Sequence, residues 1–308
     1  MYRIISLGFF LFIAFLLLSC GNGNSANTND IGPDRKIFII GDSTVHRHTT
    51  DELLYEEGMD CGEDNPKNLN EGWGDELPKY TKRPSNVINQ ARQGSSSVSF
   101  RNEIAGDDIN RNYQLGIIRD WNSTEKQIKQ NPGGFLLIQF GSDNENNHTP
   151  IEDENGNIID YNHDGIGDEN DEIARVALRK ERFQNAIRFY VKRARELNTT
   201  PVLISVIARR VKEFDGSLRE TRGEFPKYMR DLSQELNTLF LDLHTRSFQK
   251  FSNYLESTLL ENFGDCHYSD GTVDLVHLEP QGAYRVAKWI TQLACELDDK
   301  SLCDLFKQ

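Results

Sequence analysis

Lys36-Ile37-Phe38-Ile39-Ile40-Gly41-Asp42-Ser43-Thr44 is the stretch that decides the architecture. Four apolar residues follow one another without polar alternation, then stop at Gly41-Asp42. A half-exposed strand would show a polar residue at every second position, so this pattern predicts a strand buried on both faces. Phe135–Phe140, which stops at Gly141, reads the same way, as do Pro201–Ile207 and Leu239–Leu243. Asn86–Asn89 is a shorter candidate. Between these runs lie helical patterns over Glu172–Leu197, Phe225–Asn237 and Pro280–Leu297. In the first, Ala174, Ala177, Leu178, Phe183, Ala186, Ile187, Tyr190, Val191 and Ala194 recur near helical spacing. Buried strands alternating with helices predict a parallel sheet covered on both sides. The expected fold is α/β, a three-layer α/β/α sandwich with a five-stranded parallel sheet.

The chain has 308 residues, 37% hydrophobic and 27% charged, which is a globular composition and argues against a disordered or multi-span membrane protein. Its 48 acids outnumber its 35 Lys and Arg, giving a formal charge of −13, so non-specific nucleic-acid binding is not expected. Nine acids fall between residues 151 and 172, where there is no Lys or Arg. Most of the negative charge therefore belongs to one local feature.

The first residues read as an address. Arg3 precedes an apolar run of 15 residues, Ile4–Leu18. A spanning helix needs about 20, so a signal-peptide core fits better. The run ends Leu17-Leu18-Ser19-Cys20, which resembles a bacterial lipobox whose Cys carries the lipid after cleavage. Residues 1–19 are then a lipoprotein signal peptide and Cys20 the lipidated residue. Residues 20–34, rich in Gly, Asn and Ser, are a flexible tether, and residues 35–308 form the folded domain. The expected location is the bacterial cell envelope, held to a membrane by an N-terminal lipid. An exported protein permits disulfides. The four remaining Cys allow three connectivities. Cys295 and Cys303 are close enough for a local loop, and by elimination Cys61 would join Cys266; the alternative is that some remain buried thiols.

In open α/β sheets ligands bind at the carboxyl ends of the strands. The segments there are Gly41-Asp42-Ser43-Thr44, Asn89–Gly94 and Gly141-Ser142-Asp143-Asn144, with Asp274-Leu-Val-His277 before the last helix. Ser43 follows a strand and a Gly-Asp turn, with Thr44 onward a possible helix start, so its hydroxyl and N–H can meet an oxyanion. Alone, such a Ser is more often an N-cap. In Asp274-x-x-His277 one turn can bring the carboxylate onto the imidazole, where it would fix the tautomer. Alone, such a pair is usually a surface contact.

Together these blocks resemble the SGNH, or GDSL-like, hydrolase superfamily, over roughly residues 36–296. The resemblance implies a flavodoxin-like α/β/α fold and an active site of Ser43, His277 and Asp274, with Gly94 donating to the oxyanion. A finer resemblance is to the rhamnogalacturonan acetylesterases. It rests on Gly41-Asp-Ser-Thr-Val45, Glu71-Gly-Trp-Gly74 with Leu77-Pro78, Val206-Ile-Ala-Arg-Arg210 and Leu241-Asp-Leu-His244. It implies a serine esterase that removes O-acetyl groups from a polysaccharide, with pectic rhamnogalacturonan as the substrate and no catalytic cofactor. Arg92, Arg209 and Arg210 are candidates to line a cleft for a polyanion.

One block departs from the family. Its third block reads Gly-x-Asn-Asp, with the Asn donating to the oxyanion. Here the order is Asp143-Asn144. An ionised Asp143 cannot donate a hydrogen bond, so Asn144 is the expected donor and a protonated Asp143 the alternative. Loss of the donor would leave a second reading, a non-catalytic glycan-binding lipoprotein on a degenerate scaffold.

An insertion near residues 148–171 has its own chemistry. Asp160, Asn162, Asp164, Asp168 and Asp171 occupy positions 1, 3, 5, 9 and 12 of a loop with Gly165 at its sharp turn. This is EF-hand-like ligand spacing with Asp in the last place. A structural calcium is expected, with Ile166 offering its backbone carbonyl. His163, interleaved among the ligands, is not expected to bind a hard ion, and a solvated acidic loop is the alternative.

Overall fold

The computed structural model describes residues 35–46, 70–101, 120–145, 157, 159, 163, 169–268 and 271–307. These lie in one compact unit, Asp34–Gln308. Five strands, β1 (Ile37–Gly41), β2 (Val87–Asn89), β3 (Phe135–Gln139), β4 (Thr200–Ile204) and β5 (Leu239–Leu241), form a single sheet in the order β2-β1-β3-β4-β5. Every pairing is parallel. The expected three-layer α/β/α sandwich is therefore present.

Side-chain alternation splits each strand between two cores. Ile37, Ile39, Phe135 and Leu137 face one layer, whose helices are α1 (Trp73–Glu76), α6 (Leu243–Ser252), α7 (Glu256–Phe263) and α8 (Pro280–Glu296). Phe38, Ile40, Leu136 and Ile138 face the other, formed by α2 (Trp121–Gln130), α4 (Glu169–Glu196) and α5 (Phe225–Glu235). Short α3 (Ser142–Glu145) follows β3 directly. Both faces of β1 and β3 are covered, which is why their sequences are almost continuously apolar.

Local chemistry sets the boundaries. The run at Leu239–Leu243 is not one strand: β5 ends at Leu241, and Asp242 caps α6 by accepting from Thr245 N. A side-chain oxygen at that place satisfies a backbone donor that helix geometry leaves open. Along α4 the buried stripe is Phe183, Ala186, Ile187, Tyr190, Val191 and Ala194, while Ala177 is exposed. The expected stripe thus begins two turns later than its first alanines. Cys295 and Cys303 are joined by a disulfide at the end of α8.

The chain leaves β1 outward to β2, then returns past it to β3. Between β1 and β3 the winding reverses, and the loops that diverge there open a crevice at the carboxyl edge. Ser43 stands immediately beyond β1, at that point.

Candidate active site

The segment after β1 is a tight turn, closed by a hydrogen bond from Val45 N to Asp42 O at 3.1 Å. Residues 42–46 do not start a helix, contrary to the expectation for Thr44. The Asp42 carboxylate holds the turn from within. Its Oδ1 accepts from Thr44 N (3.1 Å) and Thr44 Oγ1 (2.7 Å), and its Oδ2 accepts from Ser142 N (3.1 Å). Burial pushes the Asp42 carboxyl up, against the pull of Thr44, Ser142 and the nearby Arg222 guanidinium. A chain of donors runs into it from below. Trp73 Nε1 donates to Gln139 Oε1 (2.8 Å), and Gln139 Nε2 donates to Thr44 Oγ1 (2.6 Å).

The Glu71-Gly-Trp-Gly74 segment lies against this turn. A Cβ on Gly72 would fall 2.0 Å from His46 N, and one on Gly74 would fall 2.7 Å from Val45 O. Only glycine lets the two backbones approach so closely. Glu71 N also donates to Leu278 O at 2.7 Å, so the same segment touches the loop that carries His277.

That loop completes a triad geometry. His277 Nε2 is 2.8 Å from Ser43 Oγ, and His277 Nδ1 is 2.7 Å from Asp274 Oδ2. Asp274 Oδ1 accepts from Val276 N (2.8 Å) and His277 N (3.0 Å), which closes the turn. Burial opposes charge on Asp274, but the adjacent His277, its hydrogen bonds and Arg210 outweigh it. The carboxyl is held well below its usual range. An ionised Asp274 keeps the proton on Nδ1 and leaves Nε2 free to accept from Ser43.

Arg210 sits behind the loop. It is 1% exposed, and its Nη2 donates to Asp274 O (2.6 Å) and His277 O (2.8 Å). Burial pushes its guanidinium down to about 10. Arg210 therefore does not line a cleft as the sequence suggested; it holds the triad loop. Arg92 is likewise internal, 6% exposed, with Nη2 donating to Ser99 O and the guanidinium carbon 5.8 Å from the Phe100 ring. Arg209 is half-buried. The signal for Arg210 was its place in Val206–Arg210, just past a buried strand; Gln139, the polar end of an apolar strand, was passed over.

Gly94 follows β2 with φ +66°, a conformation that favours glycine. Its loop is strapped to the end of β1: Arg92 N donates to Gly41 O (3.0 Å), and Ser95 Oγ lies 3.0 Å from the same oxygen. Asp143 and Asn144 lie in α3. Successive helical residues diverge by about 100° around the axis, so the two side chains point in different directions. The side chain of Asn144 lies outside the described residues. Cys20, Cys61, Asp160, Asn162, Asp164, Ile166 and Asp168 also lie outside them, and Asp171 is described only as backbone in the first turn of α4. His163 is exposed with φ +62°. Cys266 is buried and disulfide-bonded.

A serine, a histidine and a carboxylate joined in sequence can transfer a proton from the serine hydroxyl and so activate it as a nucleophile. The fold and the ordered blocks that carry these residues are similar to those of the SGNH, or GDSL-like, hydrolases. Within that class, the chain is 25% identical over 263 residues to the rhamnogalacturonan acetylesterase RhgT of Bacillus subtilis strain 168, covering 83% of this chain and 88% of that protein. Among solved structures, the YxiM protein of Bacillus subtilis superposes with a TM-score of 0.55 at 18% identity. That match covers 85% of this chain and 56% of the other, so the chain spans little more than half of that longer protein. The acetylxylan esterase Axe2 of Geobacillus stearothermophilus gives a TM-score of 0.44 at 14% identity, over 84% of this chain and 93% of its own. No family model matches the sequence.

Arg210→Met keeps a buried side chain of similar length but removes the donors to two triad-loop carbonyls. Each buried acceptor left unpaired costs about 1–3 kcal/mol. The expected outcome is a lower melting temperature together with a fall in kcat on a small acetyl ester at little change in KM. Unchanged kcat in the folded variant would refute the positioning role.

Proposed function

We propose that the protein is a carbohydrate O-acetylesterase whose substrate is an acetylated pectic polysaccharide, rhamnogalacturonan. The observation that carries the reaction class is the unbroken line Ser43 Oγ–His277 Nε2, His277 Nδ1–Asp274 Oδ2, at 2.8 and 2.7 Å. The similarity to RhgT supports the substrate class.

In this mechanism Ser43 Oγ attacks the acetyl carbonyl carbon while His277 Nε2 takes the hydroxyl proton. The charge developing on the carbonyl oxygen is met by the N–H groups of Ser43 and Gly94 and by the Asn144 amide. The tetrahedral intermediate collapses by breaking its bond to the sugar oxygen, which leaves with the proton from His277. Water, deprotonated by His277, then attacks the acetyl-Ser43 ester, and acetate leaves with Ser43 Oγ reprotonated. Each step moves one proton between oxygen and Nε2, so no cofactor enters. Asp274 stays ionised throughout and stabilises the imidazolium.

Acetate release across acetylated pectic rhamnogalacturonan, xylan and mannan tests the reading. The expected outcome is the highest kcat/KM on the pectic substrate and none with Ser43→Ala. Asn144→Ala should lose about 10²–10³ in kcat, the typical cost of one oxyanion donor, while Asp143→Ala keeps turnover. Wild-type protein inert on all three glycans would favour the alternative, a glycan-binding lipoprotein.

Two further proposals come from the sequence. The acidic loop at 160–171 holds a structural calcium. A ligand that binds only the folded form at 100 times its dissociation constant adds about 2.7 kcal/mol. Chelator should therefore lower the melting temperature and added calcium restore it; a melting curve indifferent to both would remove the metal. Cys20 anchors the chain to a membrane of the cell envelope through its lipid. Cys20→Ala should move the protein from the membrane to the soluble fraction, and an unchanged distribution would contradict the anchor.

A further inference from the structure

Away from the triad, a groove of about 490 Å³ runs along the outer side of α8. Its lining combines two kinds of side chain. Tyr80, Tyr254, Tyr284 and Trp289 form an aromatic floor and wall. The Tyr80 and Tyr284 rings lie 4.8 Å apart at an interplanar angle of 31°, with Tyr80 Oη donating to Tyr284 O, so the pair presents one held surface. Trp289 is recessed at 8% exposure, while Tyr284 is 44% exposed.

The second kind is cationic. Lys250, Arg285 and Lys288 line the groove, and among the described residues no Asp or Glu does. Lys79 Nζ lies 5.6 Å from the centre of the Tyr284 ring but is ion-paired with Glu76, so the three lining cations carry the local charge. In a chain of net charge −13 this local excess is against the average. Asn262 Oδ1 accepts from Arg285 Nη2 at 2.8 Å and so fixes the guanidinium at the rim. Gln281 and Gln292 stand at the two ends; Gln281 Nε2 donates to Glu261 O at 2.7 Å, which leaves its Oε1 and second N–H for a ligand. Residues 281, 284, 285, 288 and 292 share one face of α8. From 281 to 292 the helix rises roughly 16 Å.

We propose that this groove is an accessory binding site for an acidic oligosaccharide, a segment of uronate-bearing chain. A pyranose ring offers an apolar C–H face to an aromatic side chain, a carboxylate to Lys or Arg, and hydroxyls to Gln. Those three needs match the tyrosines with Trp289, the cations, and the two glutamines. An anionic membrane headgroup would satisfy the cations but not a recessed aromatic floor. The biological source of the ligand rests on the polysaccharide reading above; the binding chemistry does not. α8 opens at Pro280, three residues after His277. A glycan held along α8 raises the local concentration of its neighbouring acetylated segments at Ser43, as tethering does in any two-site ligand. It also supplies the cationic surface that Arg92 and Arg210, being internal, do not.

The test is calorimetric titration of the full-length protein with oligogalacturonate, which carries no acetyl group and is not turned over. Binding should weaken as salt rises, because exposed charges are screened, and should survive Ser43→Ala. Tyr284→Ala and Lys288→Glu should each weaken it by roughly tenfold or more, with turnover of 4-nitrophenyl acetate unchanged. Neutral xylo-oligosaccharide should bind at least as weakly as those variants bind the acidic chain. Groove variants that bind oligogalacturonate like wild type would overturn the proposal, and so would equal affinity for the neutral chain. Vesicles containing phosphatidylglycerol provide the last arm: groove-dependent binding to them without binding to oligogalacturonate would overturn it in favour of a membrane contact. Oligogalacturonate binding in a protein that releases no acetate from any glycan would support the groove while removing the esterase reading.

Discussion

The buried carboxylate of Asp42 is the constraint on which the site depends. It has no exposed surface and accepts from the nucleophile turn on one oxygen and from Ser142 on the other. The ends of β1 and β3 are thus tied to one side chain at the point where the winding of the sheet reverses. Arg222 extends the tie: its Nη1 donates to Ser142 Oγ and its Nε to Ile207 O, just past β4. A buried charge of this kind is costly unless its oxygens are occupied. Asp42 meets that condition only when the ends of β1 and β3 are in register. The residue preceding Ser43 therefore specifies the position of the nucleophile more than its exposure or its own bonds do.

The histidine side of the site obeys the same logic with opposite charge. Arg210 is buried and binds carbonyl oxygens of the loop it supports, so a cation stands beneath a loop whose working group is an anion, Asp274. The arrangement does two things at once. Hydrogen bonds fix the loop backbone, and the positive charge favours ionised Asp274 in a place where burial alone would neutralise it. Removal of a buried partner leaves the other group unpaired, which costs far more than the pair itself contributes. Both halves of the triad are thus positioned by buried ionic groups that never touch a substrate, and the Glu71–Gly74 segment, which packs on the Ser43 turn and donates from Glu71 N to Leu278 O, joins them.

The central strands β1, β3 and β4 were legible because burial on both faces writes a continuous apolar run, and Gly41 and Gly141 mark where two of the runs stop. Ser43, Asp274 and His277 were legible as ordered blocks on such a sheet. What escaped was whatever depends on direction in space. Arg92 and Arg210 read as cleft cations because a sequence shows charge but not the side of the backbone on which it lies. Leu239–Leu243 read as one strand because an Asp between leucines does not reveal that it caps a helix until Thr245 N is seen to face it. Gln139 lies within a run read as buried, but its role was not legible: it is fully buried and joins Trp73 to Thr44. A polar residue inside an apolar strand marks a partner elsewhere in the chain, and the sequence does not say which.

The order Asp143-Asn144 gains its physical meaning from this setting. Ser142 N is bound to Asp42, so α3 cannot rotate freely to bring a chosen side chain toward Ser43. The helix begins from a fixed point, and the two side chains diverge from it by about 100°. An anion facing the oxyanion would raise the barrier by repulsion, while an amide in that place lowers it by donation. With the origin of α3 pinned, the order Asp143-Asn144 leaves in place the hydrogen bonds of the turn that carries Ser43. The swap is then compatible with an intact triad, because the constraint that fixes the nucleophile ends one residue before the substitution begins.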